Sequence, residues 1–275
     1  MTEERSLFDL GVRPAECLEG LDLDEGWHVE SIINKHPKST GGCFSVSYTV
    51  SHKTGHHAFL KALDFSSAFQ WQGDQAMLLE SMTAAFNFER KLLSQCAGLS
   101  RVVTALANGY ADIKRHRPFN RVPYLIFDLA QGNIRTETSE WTDFDVAWAL
   151  RSLHNSTVGL QQLHQKRIAH QDLKPSNILV FKDEGSKLCD LGRASSATLP
   201  SQNDNGGLAG DWSYAAPEQY YGWAHVSGFE HRYISDIYSL GGLLFFFFIG
   251  VSPSQLMWKI IDELNHPHSM SKCNR

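Results

Sequence analysis

Apolar positions along the first third of the chain recur every second residue. Phe44, Val46, Tyr48 and Val50 fall on one face of a strand by this period. Lys53-Thr54-Gly55 punctuates the run as a hairpin turn, and residues 58–63 read as the returning strand. Residues 31–37 are expected to begin the first strand. The period then lengthens to that of a helix. Over residues 82–96, Phe86, Leu92, Leu93 and Cys96 are the expected core positions, with Glu89 in their midst. Residues 102–107 and 123–129 read as two more strands. The loop between them holds Arg115-His116-Arg117-Pro118, which has the composition of a solvated turn. Residues 128–133 read as a linker. The clearest helix runs over 143–164, with Val146, Leu150, Leu153, Thr157, Leu160 and His164 on its apolar face. Strands therefore crowd into the first 130 residues and helices follow. That order predicts an α+β chain in two lobes.

Composition narrows the setting. A chain of 275 residues suits one large domain or two small lobes sharing a cleft. Hydrophobic residues make up 42% and charged residues 20%, the balance of a soluble globular protein. A net charge of -5 provides no basic footprint for nucleic acid. The five cysteines are odd in number and lack CxxC spacing. They point to a reducing, cytoplasmic setting without structural zinc. The first residues are acidic and polar, unlike a signal peptide, and residues 1–30 read as an N-terminal extension. The longest apolar run, residues 240–251 with four consecutive phenylalanines, is too short to span a bilayer. It reads as a buried core helix, so no membrane span is expected.

The candidate chemistry centres on His170-Gln171-Asp172-Leu173-Lys174-Pro175-Ser176-Asn177, set between apolar Ile168 and the apolar run 178–181. Asp172 can accept a hydroxyl proton. Lys174 can neutralise developing negative charge. Asn177 can offer a neutral oxygen to Mg²⁺, which prefers oxygen ligands. A base, a cation and a metal ligand are the parts that phosphoryl transfer needs. A polar loop between helix and strand would look the same, so partners elsewhere decide. Lys61 lies in a strand among apolar neighbours and requires an anionic partner if it faces inward. Glu89 can be that partner. Asp190, at a strand end before Gly192, can hold Mg²⁺ opposite Asn177. Gly41 and Gly42 can let backbone amides approach a phosphate. Backbone groups of Asp128 and Ala130 can bond a planar base. His52, His56 and His57 lack the carboxylate or thiol pattern of a metal site.

From residue 41 to residue 250 the order of these features resembles the eukaryotic-type protein kinase family. Residues 170–177 are similar to its catalytic loop. Asp190-Leu191-Gly192 is similar to the metal-binding Asp-Phe-Gly element, Ala216-Pro217-Glu218 to the end of the activation segment, and residues 236–241 to the start of the central C-lobe helix. The resemblance implies a bilobal fold, with a small antiparallel sheet and one helix in the N-lobe, residues 31–130. A mainly helical C-lobe would follow over 131–275. ATP and Mg²⁺ are implied, with a protein substrate bearing serine or threonine. Asp172 would be the catalytic base, Lys174 a γ-phosphate contact, and Asn177 and Asp190 the Mg²⁺ ligands. Lys61, paired with Glu89, would hold the α- and β-phosphates. Phe127 would be the gatekeeper, Asp128 and Ala130 the hinge contacts, and Leu179 the floor under adenine.

The departures are informative too. Gln171 stands where the family usually has an arginine that binds a phosphorylated activation-segment residue, which points away from activation by phosphorylation. Thr40 and Ser45 replace glycines of the phosphate loop. Phe59 takes a small position beside adenine and Ser47 a valine position. Leu191 replaces phenylalanine, and Asp211 a threonine. The later C-lobe helices, with the arginine that would pair with Glu218, are expected to be missing, leaving the phenylalanine-rich helix poorly covered. A pseudokinase scaffold is the alternative function. A small-molecule kinase comes third, because the segment at Ala216-Pro217-Glu218 and the helix from Asp236 argue against it.

Overall fold

The alternating stretches form a five-stranded antiparallel sheet in the computed structural model, which describes residues 13–34, 45–66, 74–114, 120–204, 209–220 and 230–263. The strands are β1 (Trp27–Ile32), β2 (Ser45–His52), β3 (His57–Leu63), β4 (Ala105–Asp112) and β5 (Arg121–Asp128), in the spatial order β1-β2-β3-β5-β4. Val46, Tyr48, Val50, Ala58, Leu60, Ala62, Tyr124 and Ile126 share one buried face. The opposite face carries Ser47, Thr49, Phe59, Lys61, Leu125 and Phe127. Register pairs Lys61 with Ser47 and Leu125, and Phe59 with Thr49 and Phe127. Because strand side chains alternate, this register is what turns Lys61 towards the other lobe.

Two expectations about the sheet are corrected. The first strand, β1, starts earlier than expected, at Trp27, and shares only residues 31 and 32 with the expected stretch 31–37. The described part of the supposed extension, 13–30, belongs to the sheet's core, where Ala15, Leu18, Trp27 and Val29 are buried. The Tyr48 hydroxyl donates to the Ala15 carbonyl at 2.8 Å and accepts from the Leu18 N–H at 3.4 Å. Acidic Asp22, Asp24 and Glu25 point outward from a tight turn, so the segment looks more solvated in sequence than it is. The fourth strand also starts later than residue 102. Val102 and Val103 are instead buried against the second lobe, where the Val103 N–H donates to the Leu188 carbonyl at 2.8 Å.

Helix α1 (Gln75–Gln95) starts where the Asp74 carboxylate caps the Met77 N–H at 3.0 Å, earlier than the apolar spacing suggested. It buries Phe86, Phe88, Glu89, Leu92 and Leu93. After β6 (Gly132–Asn133) and the short α2 (Ile134–Ser139) comes α3 (Val146–Gln165), capped by Asp145. Its buried face keeps Leu160 as expected but otherwise departs from the expected one. Val146 and Leu150 are 47% and 50% exposed, and Ala149, Ser152, Ser156, Gly159, Leu160 and Leu163 turn inward. Small side chains let α3 lie directly on β9 (Gly185–Leu188), which pairs with β8 (Ile178–Phe181). A Cβ at Gly159 would come within 2.7 Å of the Arg101 carbonyl oxygen and 2.9 Å of Leu188. Close approach outweighed hydrophobicity in choosing the face.

The chain continues through β7 (Ile168–Ala169), paired with β10 (Ser195–Ser196), to α4 (Pro217–Tyr220), α5 (Glu230–Ile249) and α6 (Pro253–Glu263). The phenylalanine-rich run is not a buried core helix. In α5, Leu243 and Phe247 are buried, but Leu244 and Ile249 are exposed and Phe248 is 53% exposed. Helix α5 begins well before the run, so by length and composition it is sufficient to cross a membrane. It nonetheless carries Asp236, which is buried and bonded to the neighbouring loop. An apolar groove of about 300 Å³, lined by Phe245, Pro253, Leu256, Met257 and Ile260, opens between α5 and α6.

Candidate active site

Lys61, on the cleft face of β3, meets two carboxylates from two other elements. Its Nζ donates to Glu89 Oε1 at 3.1 Å and Oε2 at 3.4 Å, and to Asp190 Oδ1 at 3.3 Å. Glu89 comes from the buried side of α1. Asp190 follows β9 in a left-handed conformation, φ 62°, which an Asp tolerates better than most residues. Burial alone would push Lys61 down, but the charges of Asp190 and Glu89 outweigh it and raise its pKa. The two acids respond oppositely. Lys61 holds Asp190 below its usual range, while burial and the charge of Asp190 push Glu89 up. One ammonium thus joins a buried carboxylate, Glu89, to one at the open cleft, Asp190, whose side chain is 47% exposed.

The second group is built on the loop between β7 and β8. Buried Ile168, Leu173 and Ile178 anchor that loop. Pro175 opens a tight helical turn, Pro175–Asn177, with φ already fixed. Asn177 Nδ2 donates to the Asp172 carbonyl at 2.8 Å and to Asp172 Oδ2 at 2.9 Å. Lys174 Nζ lies 3.0 Å from Asp172 Oδ2 and 3.2 Å from Oδ1. The Asp211 N–H donates to Asp172 Oδ1 at 2.8 Å, so each Asp172 oxygen accepts two bonds. Lys174 also lies 3.5 Å from Asp211 Oδ2. Burial raises Asp172, with Lys174 opposing. Burial depresses Lys174, but Asp172 and Asp211 more than reverse that effect. Gly210 lets the segment rest on the loop, because a Cβ there would collide with the Gln171 carbonyl oxygen.

His170 joins the two groups. Its Nε2 contacts the Cys189 carbonyl at 3.0 Å, and the Cys189 N–H donates to the Asn177 carbonyl at 2.9 Å. Asp236 of α5 holds the loop from below. It accepts the His170 and Gln171 N–H groups at 2.8 and 2.7 Å, and its Oδ2 lies 2.8 Å from His164 Nε2. Sequence reasoning named Asp236 only as the start of a helix. The signal was a lone acid among Ile234, Ile237 and Leu240, costly to bury without partners. Gln171 has φ 61° and donates to the Arg193 carbonyl and to Ser195 Oγ.

The remaining candidates have definite places. Phe127 is buried and Phe59 partly so, facing each other across β3 and β5. Leu179 packs into the same apolar cluster. The chain leaves the sheet after Asp128 and passes through Ala130 before the Gln131 N–H bonds the Val180 carbonyl at 2.9 Å. Glu218 accepts from Ser235 at 3.3 Å. His52 contacts Thr54 and the Glu25 carbonyl, His56 contacts Asp128, and His57 lies 3.4 Å from Glu30. Burial, reinforced by the charge of Asp190, raises the Cys189 thiol. Gly41, Gly42, Thr40 and the Arg115 cluster lie outside the described residues.

The protein kinase domain matches residues 40–273. The chain belongs to the protein kinase family. Aurora kinase of Debaryomyces hansenii is 28% identical over 208 residues, covering 75% of this chain and 45% of that protein. Rhodopsin kinase GRK1 of Homo sapiens is 26% identical over 275 residues, covering 95% of this chain and 42% of that protein. The serine/threonine-protein kinase PknL of Mycobacterium bovis is 26% identical over 185 residues, covering 66% and 44%. The chain therefore spans less than half the length of these relatives. Its two-lobed α+β architecture is that of a protein kinase.

Proposed function

We propose that the protein transfers the γ-phosphoryl group of Mg-ATP to serine or threonine hydroxyls of a protein substrate. The observation that carries this is Lys61 bonded at once to Glu89 and Asp190, with Asp172 and Asn177 bonded to each other alongside. Lys61 holds the α- and β-phosphates. Asn177 spends its amide hydrogens on Asp172, which leaves its oxygen for a cation, and Asp190 adds a carboxylate. Among the described residues no cluster of three or more His, Cys, Asp or Glu side chains exists to cage a metal. One amide oxygen and one carboxylate fit Mg²⁺, which completes its shell with water and substrate phosphates. Bound there, Mg²⁺ neutralises phosphate charge. Asp128 and Ala130 offer backbone bonds to adenine, and Phe127 and Leu179 wall its site.

The substrate hydroxyl oxygen attacks the γ-phosphorus, the bond to the bridging oxygen breaks, and ADP leaves. The hydroxyl proton passes to Asp172, whose raised pKa makes it a better acceptor. Both Asp172 oxygens are already engaged, so the hydroxyl takes the place that Lys174 vacates on turning to the γ-phosphate. A catalytically silent scaffold is the second reading, favoured by Phe59, whose ring stands opposite Phe127 on the cleft face. Mg-ATP-dependent phosphate incorporation into protein acceptors separates the two. Asp172→Ala and Lys61→Met are expected to lower turnover by about 10²- to 10⁴-fold. The acid limb of kcat/KM should lie above the ordinary carboxylate value of about 4, since activity needs Asp172 ionised and its pKa is raised. A folded wild type that incorporates no phosphate, and whose melting temperature ignores Mg-ATP, sinks the proposal.

A further inference from the structure

The segment after Asp190 is fastened at a point that the chemistry above does not use. Asp204 ends a helical turn, Gln202–Asp204, and forms an ion pair with Arg232 in the first turn of α5. Arg232 Nη1 lies 2.5 Å from Asp204 Oδ1, and Nη2 donates to the Asp204 carbonyl at 3.2 Å. Both side chains are mostly shielded, at 13% and 23% exposure, so the pair is less screened than a surface one. The other Asp204 oxygen accepts the Ser201 N–H at 2.7 Å. One residue earlier, Asn203 Nδ2 donates to the Gly192 and Ala194 carbonyls at 3.2 and 3.4 Å. The turn is thus tied to the stretch that carries Asp190 and, through Arg232, to α5.

Arg232 lies four residues before Asp236, which puts both on one side of α5. Helix α5 therefore grips the catalytic loop through Asp236 and the following segment through Arg232. Gln171 completes the contact from the loop side with neutral bonds to the Arg193 carbonyl and Ser195.

We propose that Asp204 and Arg232 are positioning residues that hold Asp190 and the stretch after it, residues 192–204, aligned with Asp172. They do so with an acid encoded in the chain, so alignment requires no added phosphate on the segment. The pair touches no reacting atom and acts through Asn203 and α5. This rests on the proposed phosphoryl transfer for its kinetic readout, and amide exchange provides a readout that does not.

The test uses the full chain with Asp204→Asn, Arg232→Ala and the double exchange Asp204→Arg with Arg232→Asp. Each single variant is expected to speed amide hydrogen exchange over residues 192–204 by about tenfold or more, the size expected for losing a shielded ion pair. Turnover should fall on the order of 10- to 100-fold with KM for ATP nearly unchanged, because alignment is lost and nucleotide contacts are not. The double exchange should recover most of both. Phosphatase treatment of the wild type should leave its rate intact. Unchanged exchange in both single variants overturns the proposal, as does a rate that collapses on phosphatase treatment. Failure of the double exchange to recover either readout also counts against a specific pair. If the wild type transfers no phosphate, the functional reading fails, and exchange alone decides the clamp.

Discussion

The loop of residues 170–177 and the far end of α5 place their residues in opposite ways. In the loop, polar His170, Asp172 and Asn177 are buried, and on α5 the apolar Leu244, Phe248 and Ile249 are exposed. The loop tolerates burial because its polar groups have named partners from β9, α5 and the segment around Asp211. Each bond fixes a direction, so the loop has one arrangement. The exposed end of α5 has area without direction. Position at the site is therefore set by hydrogen bonds more than by hydrophobic packing.

Removing a bond hub should cost most. Asp236→Ala strips the partner from the buried His170 N–H, the part-buried Gln171 N–H and His164, and is expected to cost about 3 kcal/mol or more. Chemical denaturation would measure it, and a loss under 1 kcal/mol would mean the loop is held by packing. Gly159→Ala tests the seam between α3 and β9. The added methyl meets the Arg101 backbone, so a destabilisation of about 1–3 kcal/mol is expected, visible as a lower melting temperature. An unchanged melting temperature would show that the seam can open. At the other extreme, Phe248→Ser should shift stability by roughly 0.5 kcal/mol or less while reducing aggregation in light scattering. A cost like that of a core phenylalanine would show Phe248 packed in solution.

Strict alternation placed β2 and β3 and the buried face of Val46, Tyr48 and Val50, because a half-buried strand allows no other period. Lys61, Glu89, Asp172, Asn177 and Asp190 were legible as separate chemical parts, and the structure brings them into two bonded groups. What could not be read was contact through smallness. Ser152, Ser156 and Gly159 carry no hydrophobic signal, yet they choose the face of α3. Residues 13–30 misled because exposed acids are interleaved with the apolar side chains that do the packing. The Asp204–Arg232 pair had no local signal, since its partners stand 28 positions apart. The fate of α5 depended on what covers it, which its own residues do not encode.

Two glycines differ in the room the fold leaves beside them. At Gly210 the backbones of loop and segment touch, and any Cβ would strike the Gln171 carbonyl. At Gly241, on α5, a Cβ would meet nothing within 4 Å. A methyl group at 241 therefore finds open space. At 210 it has to push apart the loop and the segment whose Asp211 N–H bonds Asp172.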